Sequence, residues 1–313
     1  MNVKGLMQKF PHLPEKIFQK LDSESLSKCK EVARSWENII DGRNYPWLRI
    51  VNIPSILREK NSYLHIAAAT GQIEAFDTAI NQEKDENIRN DHDETPFLVA
   101  CKNGRFKIVQ LLLKNTELKI NFNAIDNHWG YSGFHFACQQ GHFDVVKTLV
   151  ETTAGLSIDL KAKTKNSNSD SVFHLACTND NSAVVKILMK NAAALDIDLN
   201  EEDSIGMSPF FLACHHDSTE MVEIFIENAA NLGIDLNAKA LSVSNWTGFH
   251  LACAKGYADV VNIFMKNAAN SSIDLNRKSK NGYTAFNLAC RCNQFEVVKI
   301  LKDNAAALSI NLK

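Results

Sequence analysis

The sequence predicts an all-α protein built as a linear array of repeated helix pairs. The first observation is a block that recurs seven times: SYLHIAA, TPFLVAC, SGFHFAC, SVFHLAC, SPFFLAC, TGFHLAC and TAFNLAC. An alanine common to all seven recurs at spacings of 33, 37, 39, 37, 39 and 37 residues. The second observation is that most blocks precede an apolar segment with helical spacing, such as VVKILMKNAA. Self-similarity at such a period indicates a repeat architecture.

Each block carries the signals of a short helix. Its first column holds Ser or Thr, which can accept a hydrogen bond from an otherwise unpaired amide and so cap the helix. These residues are Ser62, Thr95, Ser132, Ser171, Ser208, Thr247 and Thr284, and the repeats are expected to start near them. The column that ends the helix holds Gly71, Gly104, Gly141 and Gly256, or Asp180, Asp217 and Asn293. These residue types tolerate the left-handed conformation, so the helix is expected to stop there.

A turn and two helices at this period, opened by a Thr-Pro-Leu-His-like block, resemble the ankyrin repeat over residues 62–313. The resemblance implies an ankyrin-repeat solenoid of seven helix-turn-helix repeats with β-turn fingers between them. Most repeats here exceed the family's length of about 33 residues. The extra residues lie in segments such as NAAALDIDLN, which predicts another turn on the outer helix or a longer loop after it. Two further residues alternate in the turn region, which predicts fingers of alternating length.

The seventh outer helix has Lys302 where four earlier ones have Val150, Met189, Ile226 and Met265. A polar residue at a stacking position is typical of a terminal repeat, because no neighbour covers it. The array is therefore expected to end with the seventh repeat.

Residues 10–50 lack the repeat pattern and instead predict three short helices near 14–21, 24–33 and 33–41. They resemble an F-box, with the elements Leu-Pro-Glu, Ile-Phe, Val-Ala-Arg-Ser-Trp and a closing Trp in order. The gap between the Leu-Pro and Ile-Phe pairs is narrower than is usual in that family. The expected domains are an F-box-like helical domain (1–51), a linker (52–61) and seven ankyrin repeats (62–313). The alternative is that the N-terminal helices only cap the array.

The F-box resemblance implies a substrate-recognition subunit of a Skp-cullin-F-box type ubiquitin ligase. In such a protein the F-box binds a Skp-type adaptor of the cullin ligase core, and the repeats bind the substrate. The implied adaptor-binding residues are Leu13, Pro14, Ile17, Phe18, Leu21, Leu26, Val32, Trp36, Ile40 and Trp47. The alternative function is a stand-alone ankyrin scaffold or inhibitor with no role in a ubiquitin ligase.

The bulk composition excludes several other classes. With 45% hydrophobic and 22% charged residues the chain has the composition of a folded protein, and its net charge of −2 without a basic run does not favour nucleic acid. No apolar run is long enough to span a membrane, so no membrane partner is expected. The expected location is the cytosol or the nucleus, where the eight cysteines stay reduced.

The repeated His and Cys do not predict a metal or catalytic site. His65, His135, His174 and His250 share a column with Leu98, Phe211 and Asn287, and a zinc ligand cannot be replaced by an apolar residue. The histidine is expected to bridge adjacent turns. Six cysteines share a column with Ala68, so they are expected to act as small buried packing residues. The sequence therefore predicts no enzyme activity, cofactor or metal.

Binding candidates lie in the fingers and in the two variable positions after the small residue. Aromatic side chains, Met and Arg are enriched in protein interfaces, and exposed turns present them to a partner. The candidates for substrate binding are His128, Trp129, Tyr131, Gln139, Gln140, Ile205, Met207, His215, His216, Trp246, Lys255, Lys280 and Tyr283, with Ser167, Asn168, Asp170, Thr178 and Asn179 as polar additions. The alternative is that the finger side chains only pack on neighbouring fingers.

Overall fold

The computed structural model describes residues 62–81, 85–152, 158–165 and 170–312. Within these ranges the chain forms fourteen α-helices and one short 3₁₀ helix, with no β-strand. The three expected N-terminal helices, the linker 52–61 and every adaptor-binding candidate lie outside the described residues.

The helices alternate between an inner and an outer layer. The inner helices are α1 (Tyr63–Thr70), α3 (Pro96–Lys102), α5 (Gly133–Gln139), α7 (Val172–Thr178), α9 (Pro209–His215), α11 (Gly248–Lys255) and α13 (Ala285–Arg291). The outer helices are α2 (Ile73–Ile80), α4 (Phe106–Lys114), α6 (Phe143–Thr152), α8 (Ser182–Leu195), α10 (Thr219–Leu232), α12 (Ala258–Asn267) and α14 (Phe295–Leu308). Each inner helix and the outer helix that follows it make one repeat.

The chain divides into two compact units between His128 and Trp129. In the first unit α1 packs on α3, and α2 packs on α4. In the second unit each inner helix packs on the next inner helix, and each outer helix packs on the next outer helix. Phenylalanines fill the space between the two layers: Phe225 contacts Phe173 and Phe210, with ring centroids 5.8 and 5.5 Å apart. Aromatic pairs at such distances stabilise the core beyond the area they bury.

The predicted start and stop of the inner helix are confirmed. In six repeats the Ser or Thr hydroxyl accepts from the backbone N–H three residues later, as between Thr95 and Leu98. Every residue of the stop column has a positive φ, from +80° at Gly256 to +56° at Asp180, Asp217 and Asn293. The left-handed residue turns the chain back so that the outer helix can pack against the inner one.

In three of the last four repeats the extra residues lengthen the outer helix. Helices α8, α10 and α14 each span 14 residues, whereas α2 of the 33-residue first repeat spans 8 and α4 of the second repeat spans 9. Helix α12 differs, because it ends at Asn267 and is followed by a turn. In three of these four repeats the extra residues therefore form an additional turn of the outer helix.

The predicted alternation of finger length is also confirmed in the second unit. The backbone hydrogen bonds that close its successive fingers join Thr164 to Asp170, Asp203 to Met207, Ala240 to Trp246, and Ser279 to Tyr283. The paired residues are therefore six, four, six and four positions apart. In the longer finger at 240–246, the 3₁₀ helix Leu241–Val243 takes up the added residues.

Asparagine side chains link the loops after the outer helices to one another. Asn237 receives a hydrogen bond from the backbone N–H of Asp274 (2.8 Å) and donates one to the carbonyl of Ser272 (2.6 Å). Asn200 and Asn276 make the same pair of contacts with the next loop in the chain. These exposed amides tie each loop after an outer helix to the corresponding loop of the next repeat.

Candidate functional site

In the second unit, side chains precede and end the inner helix of each successive repeat, and we call this set of positions the groove. In two of these repeats the residue that closes the finger lies next to the residue eight positions later, near the end of the inner helix. Gln139 donates to the hydroxyl of Tyr131 at 3.4 Å, and the Arg291 guanidinium lies 4.6 Å from the centroid of the Tyr283 ring. The first unit has the same pairing within its second repeat, where Lys102 Nζ is 2.6 Å from Glu94 Oε1.

The chemical character of the groove changes along the second unit. In the third and fourth repeats the helix-end positions hold uncharged polar residues: Gln139, Gln140, Thr178 and Asn179. In the last three repeats the finger-closing positions hold Met207, Trp246 and Tyr283, and the helix ends hold His215, His216, Lys255 and Arg291. The C-terminal half of the groove therefore combines large apolar side chains with cations.

The ionisable groups at these helix ends are exposed, and His215, His216 and Lys255 influence one another. The rings of His215 and His216 are 5.1 Å apart. Burial lowers the pKa of His215, and the nearby positive groups of His216 and Lys255 lower it further. Of the ion pairs formed by described residues, none involves His215, Lys255 or Arg291. Lys255 and Arg291 thus present charge to solvent that no carboxylate of the described chain neutralises.

Two neighbouring fingers of the same repeats expose an apolar patch. Ile205 is 42% exposed and Leu241 is 64% exposed. Behind them Met207, Val243 and Trp246 are half-buried and pack against the buried residues Phe211, Ala240 and Leu251. The patch is therefore anchored in the core at its base and open at its rim.

Leu241 is a contact residue that sequence reasoning missed. It lies in the 3₁₀ turn that fills the longer finger, and a side chain on Gly206 would lie about 3.0 Å from it. The alternating finger length was the available signal, because inserted residues at a finger tip project from the repeat. The functional candidates on this finger are thus Leu241 and Trp246 together.

The remaining finger candidates differ in exposure. His128 is exposed and Trp129 is 47% exposed, as a contact residue requires. Tyr131 is only 4% exposed, so its expected solvent-facing position is wrong. Its ring stacks on the ring of His135 at 5.8 Å and meets the edge of Phe136 at 5.3 Å. Only the tyrosine hydroxyl takes part in the groove.

Lys280, Asp170 and Tyr283 are the other described candidates at the fingers. Lys280 is exposed, and its backbone N–H donates to the carbonyl of Ser244, which ties the last two fingers together at 2.9 Å. Asp170 and Tyr283 are half-buried at the finger-closing positions. Ser167 and Asn168 lie outside the described residues.

In three of its four repeats the histidine bridges adjacent turns, as the sequence predicts. Nδ1 of His65 accepts from the backbone N–H of Ser62 at 3.1 Å, and Nε2 lies 2.8 Å from the carbonyl oxygen of Glu94 in the next finger. His174 reaches the carbonyl of Met207 at 3.2 Å, and His250 reaches that of Tyr283 at 3.3 Å. An accepting Nδ1 requires the neutral ring with its proton on Nε2. The histidine therefore has a structural role.

The cysteine column is confirmed as packing, with one correction. Cys101, Cys138, Cys177, Cys214 and Cys253 are buried, and burial raises the pKa of the Cys101 and Cys214 thiols well above its ordinary value. Cys290 is exposed instead, because no later inner helix packs on α13 within the described chain. The described residues contain no group of three or more His, Cys, Asp or Glu side chains able to hold a metal ion. None of the described helices is long and apolar enough to cross a membrane.

Stacked helix pairs joined by fingers, with a row of varied side chains on one face, define a helical-repeat scaffold. The family model for ankyrin repeats in three copies matches residues 64–163, 156–240 and 233–313. The chain therefore belongs to the ankyrin-repeat family, whose repeats bind protein partners. The expectation of an all-helical ankyrin-repeat fold is confirmed for the described residues.

Solved structures show the same fold. The ankyrin-repeat domain of Bcl-3, an IkappaB family protein, matches with a TM-score of 0.62 at 22% identity, covering 77% of this chain and 99% of that one. The ankyrin-repeat domain of human ASB11 matches with a TM-score of 0.57 at 23% identity, covering 73% of this chain and 92% of that one. These similarities concern the fold alone.

Curated relatives share short stretches with this chain. Human transient receptor potential cation channel subfamily A member 1 is 32% identical over 105 residues, which are 33% of this chain and 9% of that protein. The rice protein named "Probable E3 ubiquitin-protein ligase XBOS33" is 34% identical over 77 residues, which are 25% of this chain and 14% of that protein. The chain thus matches only a small part of each relative's length.

Proposed function

We propose that this chain is the substrate-recognition subunit of a Skp-cullin-F-box type ubiquitin ligase. Residues 10–50 would bind a Skp-type adaptor, and the groove would hold a protein substrate. The observation that carries the proposal is the order of the two parts: an F-box-like run of Leu-Pro, Ile-Phe and Val-x-x-x-Trp elements precedes a protein-binding repeat array. The partial similarity to a rice protein named as an E3 ubiquitin ligase is compatible with this role.

The two binding roles are assigned from the side chains that each part of the chain offers. An F-box offers an apolar face, and residues 10–50 contain far more apolar side chains than forty residues can bury by themselves. The groove offers mixed apolar and charged side chains in a row, which suits an extended segment of a second protein. One chain can therefore hold two partners at separate places, and no covalent chemistry is required of it.

Co-purification with a Skp-type adaptor tests the proposal. The full chain is expected to retain the adaptor, and the double substitution Leu13→Ala/Ile17→Ala is expected to abolish retention. Leu232→Ala/Phe295→Ala is the matched control, because it removes two exposed apolar side chains from the array instead. Absence of the adaptor from the wild-type sample would leave the stand-alone ankyrin scaffold as the function.

A further inference from the structure

We infer that the C-terminal half of the groove binds an extended acidic segment that also carries aromatic or large apolar side chains. This inference rests on the protein-binding role proposed above and specifies the chemistry of the partner. The surface consists of Met207, Trp246 and Tyr283 at the finger-closing positions and of His215, Lys255 and Arg291 at the helix ends. Each of these three repeats thus carries one large side chain at the finger and one ionisable group at the helix end, and in the last repeat the Arg291 guanidinium lies 4.6 Å from the Tyr283 ring centroid.

Charge complementarity selects an acidic partner. Lys255 and Arg291 are exposed and belong to none of the ion pairs formed by described residues. Lys280 adds a further exposed cation on the last finger. In the first unit, by contrast, Lys102, which holds the position of Arg291 in its repeat, already pairs with Glu94 at 2.6 Å. A carboxylate from a partner can take the place at the C-terminal end that Glu94 takes in the second repeat.

The apolar component of the partner follows from the exposed rims of the fingers. Ile205 and Leu241 lie at the edge of the groove, with Met207 and Trp246 half-buried behind them. The Tyr283 ring is held in place by the Arg291 guanidinium, and the opposite face of such a ring can receive another aromatic group. Rigid aromatic side chains anchored in the core lose little entropy on binding, which makes them suitable contact points.

The spacing of the repeats sets the spacing of the partner's side chains. Helices packed side by side lie roughly 8–10 Å apart. A polyproline-type chain rises about 3.1 Å per residue and brings every third side chain to the same face. One acidic side chain in every three residues therefore reaches the cations of successive repeats.

A polypeptide fits this surface better than a nucleic acid. The chain carries a net charge of −2 and has no basic run, so it lacks the long cationic track that a phosphate backbone requires. Exposed carboxylates, Asp217 and Asp259, lie in the same repeats as His215 and Lys255. A flexible acidic peptide can place its charges between these groups, whereas a uniformly charged backbone cannot avoid them.

Fluorescence anisotropy with synthetic peptides tests the inference on the full chain. The probe is a labelled 12-residue peptide of four Glu-Tyr-Pro units; the comparison peptides replace Glu with Lys or Tyr with Ala. The Glu-Tyr-Pro peptide is expected to bind at least about tenfold more tightly than the Lys-Tyr-Pro peptide, because reversing several charges in one interface removes attraction and adds repulsion. The Glu-Ala-Pro peptide is expected to bind more weakly than the probe.

Variants locate the binding. Lys255→Glu/Arg291→Glu is expected to weaken binding of the Glu-Tyr-Pro peptide by about tenfold or more. Lys190→Glu/Lys266→Glu is the control: it changes the charge equally at exposed positions of the outer helices α8 and α12 and is expected to leave binding unchanged. Circular dichroism melting of both variants confirms that they fold.

Several results would overturn the inference: no binding of the Glu-Tyr-Pro peptide, equal binding of the Lys-Tyr-Pro peptide, or equal loss in both double variants. Tighter binding of a 12-residue oligothymidylate would assign the surface to single-stranded nucleic acid instead. The assay needs no Skp-type adaptor. Peptide binding without adaptor retention would refute only the ligase proposal, and the reverse would refute only the acidic-segment inference.

Discussion

At the scale of single residues, the histidine column shows how one side chain joins two repeats. The ring of His250 accepts a backbone N–H at its own N-cap and contacts the carbonyl of Tyr283 in the next finger at 3.3 Å. Burial lowers the pKa of both His65 and His250, although their carbonyl contacts oppose that shift. In the seventh repeat Asn287 accepts the same N–H through Oδ1 at 3.0 Å without the second contact. The column therefore requires an acceptor, and the histidine adds the link between repeats.

His65 and His250 predict a loss of stability in mild acid. The folded-state pKa of these two histidines lies below the unfolded value of about 6.5, so the unfolded chain binds more protons at low pH. The stabilisation is complete above pH 6.5 and is lost as the pH falls through the folded-state pKa. Melting temperatures measured between pH 7.5 and pH 5 are expected to fall for the wild type.

His250→Asn provides the control for that prediction, because the chain itself uses asparagine in this column. At pH 7.5 the free energy of unfolding of the variant is expected to fall by about 0.5–1.5 kcal/mol, which is the net contribution of one hydrogen bond. Its melting temperature is expected to depend less on pH than that of the wild type. An identical pH dependence would show that His250 does not contribute to the acid sensitivity.

At the scale of the element, a side chain of the next repeat limits which residue fits at the left-handed stop of an inner helix. A Cβ on Gly141 would lie 2.3 Å from Oδ1 of Asn181, and one on Gly256 would lie 2.2 Å from Oε1 of Gln294. Both amides donate to carbonyls at the end of the preceding inner helix, Asn181 at 2.9 and 2.8 Å. Asp180 is tolerated because the residue beyond it is the small Ser218, which donates a hydrogen bond to it.

The contact between Gly141 and Asn181 predicts that two glycine substitutions lower the stability by different amounts. Gly233 also has a positive φ, but its Cβ would meet nothing within 4 Å. Gly233→Ala is therefore expected to lower the free energy of unfolding by about 1 kcal/mol through backbone strain alone. Gly141→Ala is expected to lower the free energy of unfolding by about 1–2 kcal/mol more than Gly233→Ala does, because Asn181 must move and its hydrogen bonds weaken.

Urea denaturation of the two variants measures the difference. A second comparison, Gly141→Ala in an Asn181→Ala background, is expected to remove most of the extra cost, since substitutions at contacting residues are not additive. Equal free energies of unfolding for Gly141→Ala and Gly233→Ala would show that the contact between these repeats is without consequence.

At the scale of the whole molecule, the local signals of each repeat could be read from the sequence. The Ser and Thr caps, the left-handed stops and the alternating fingers depend on residues close in the chain, and the structure has them where the sequence predicts them. The exposure of individual side chains could not be read in this way. Tyr131 is buried against His135 and Phe136 of its own repeat although its column was expected to face solvent, and Cys290 is exposed because no later inner helix packs on α13 within the described chain.

In the candidate groove, too, some features could be read from the sequence and others depend on packing. Residue types indicated Trp246, Lys255 and Tyr283 as contact residues, because aromatic and cationic side chains stood at variable positions. The stacking of Arg291 on Tyr283 and the exposure of Leu241 depend on how fingers and helix ends meet in space. The sequence therefore predicts where a partner would bind, and the packing of adjacent repeats specifies which chemistry it meets.

A bridging measurement tests most directly that one chain joins an adaptor to a substrate segment. The Glu-Tyr-Pro peptide is immobilised, and a purified Skp-type adaptor is passed over it with and without the full chain. The expected result is that the adaptor is retained only when the chain is present, and that either Leu13→Ala/Ile17→Ala or Lys255→Glu/Arg291→Glu abolishes its retention. Failure of the wild-type chain to retain the adaptor on the peptide would contradict a role as a two-partner adaptor.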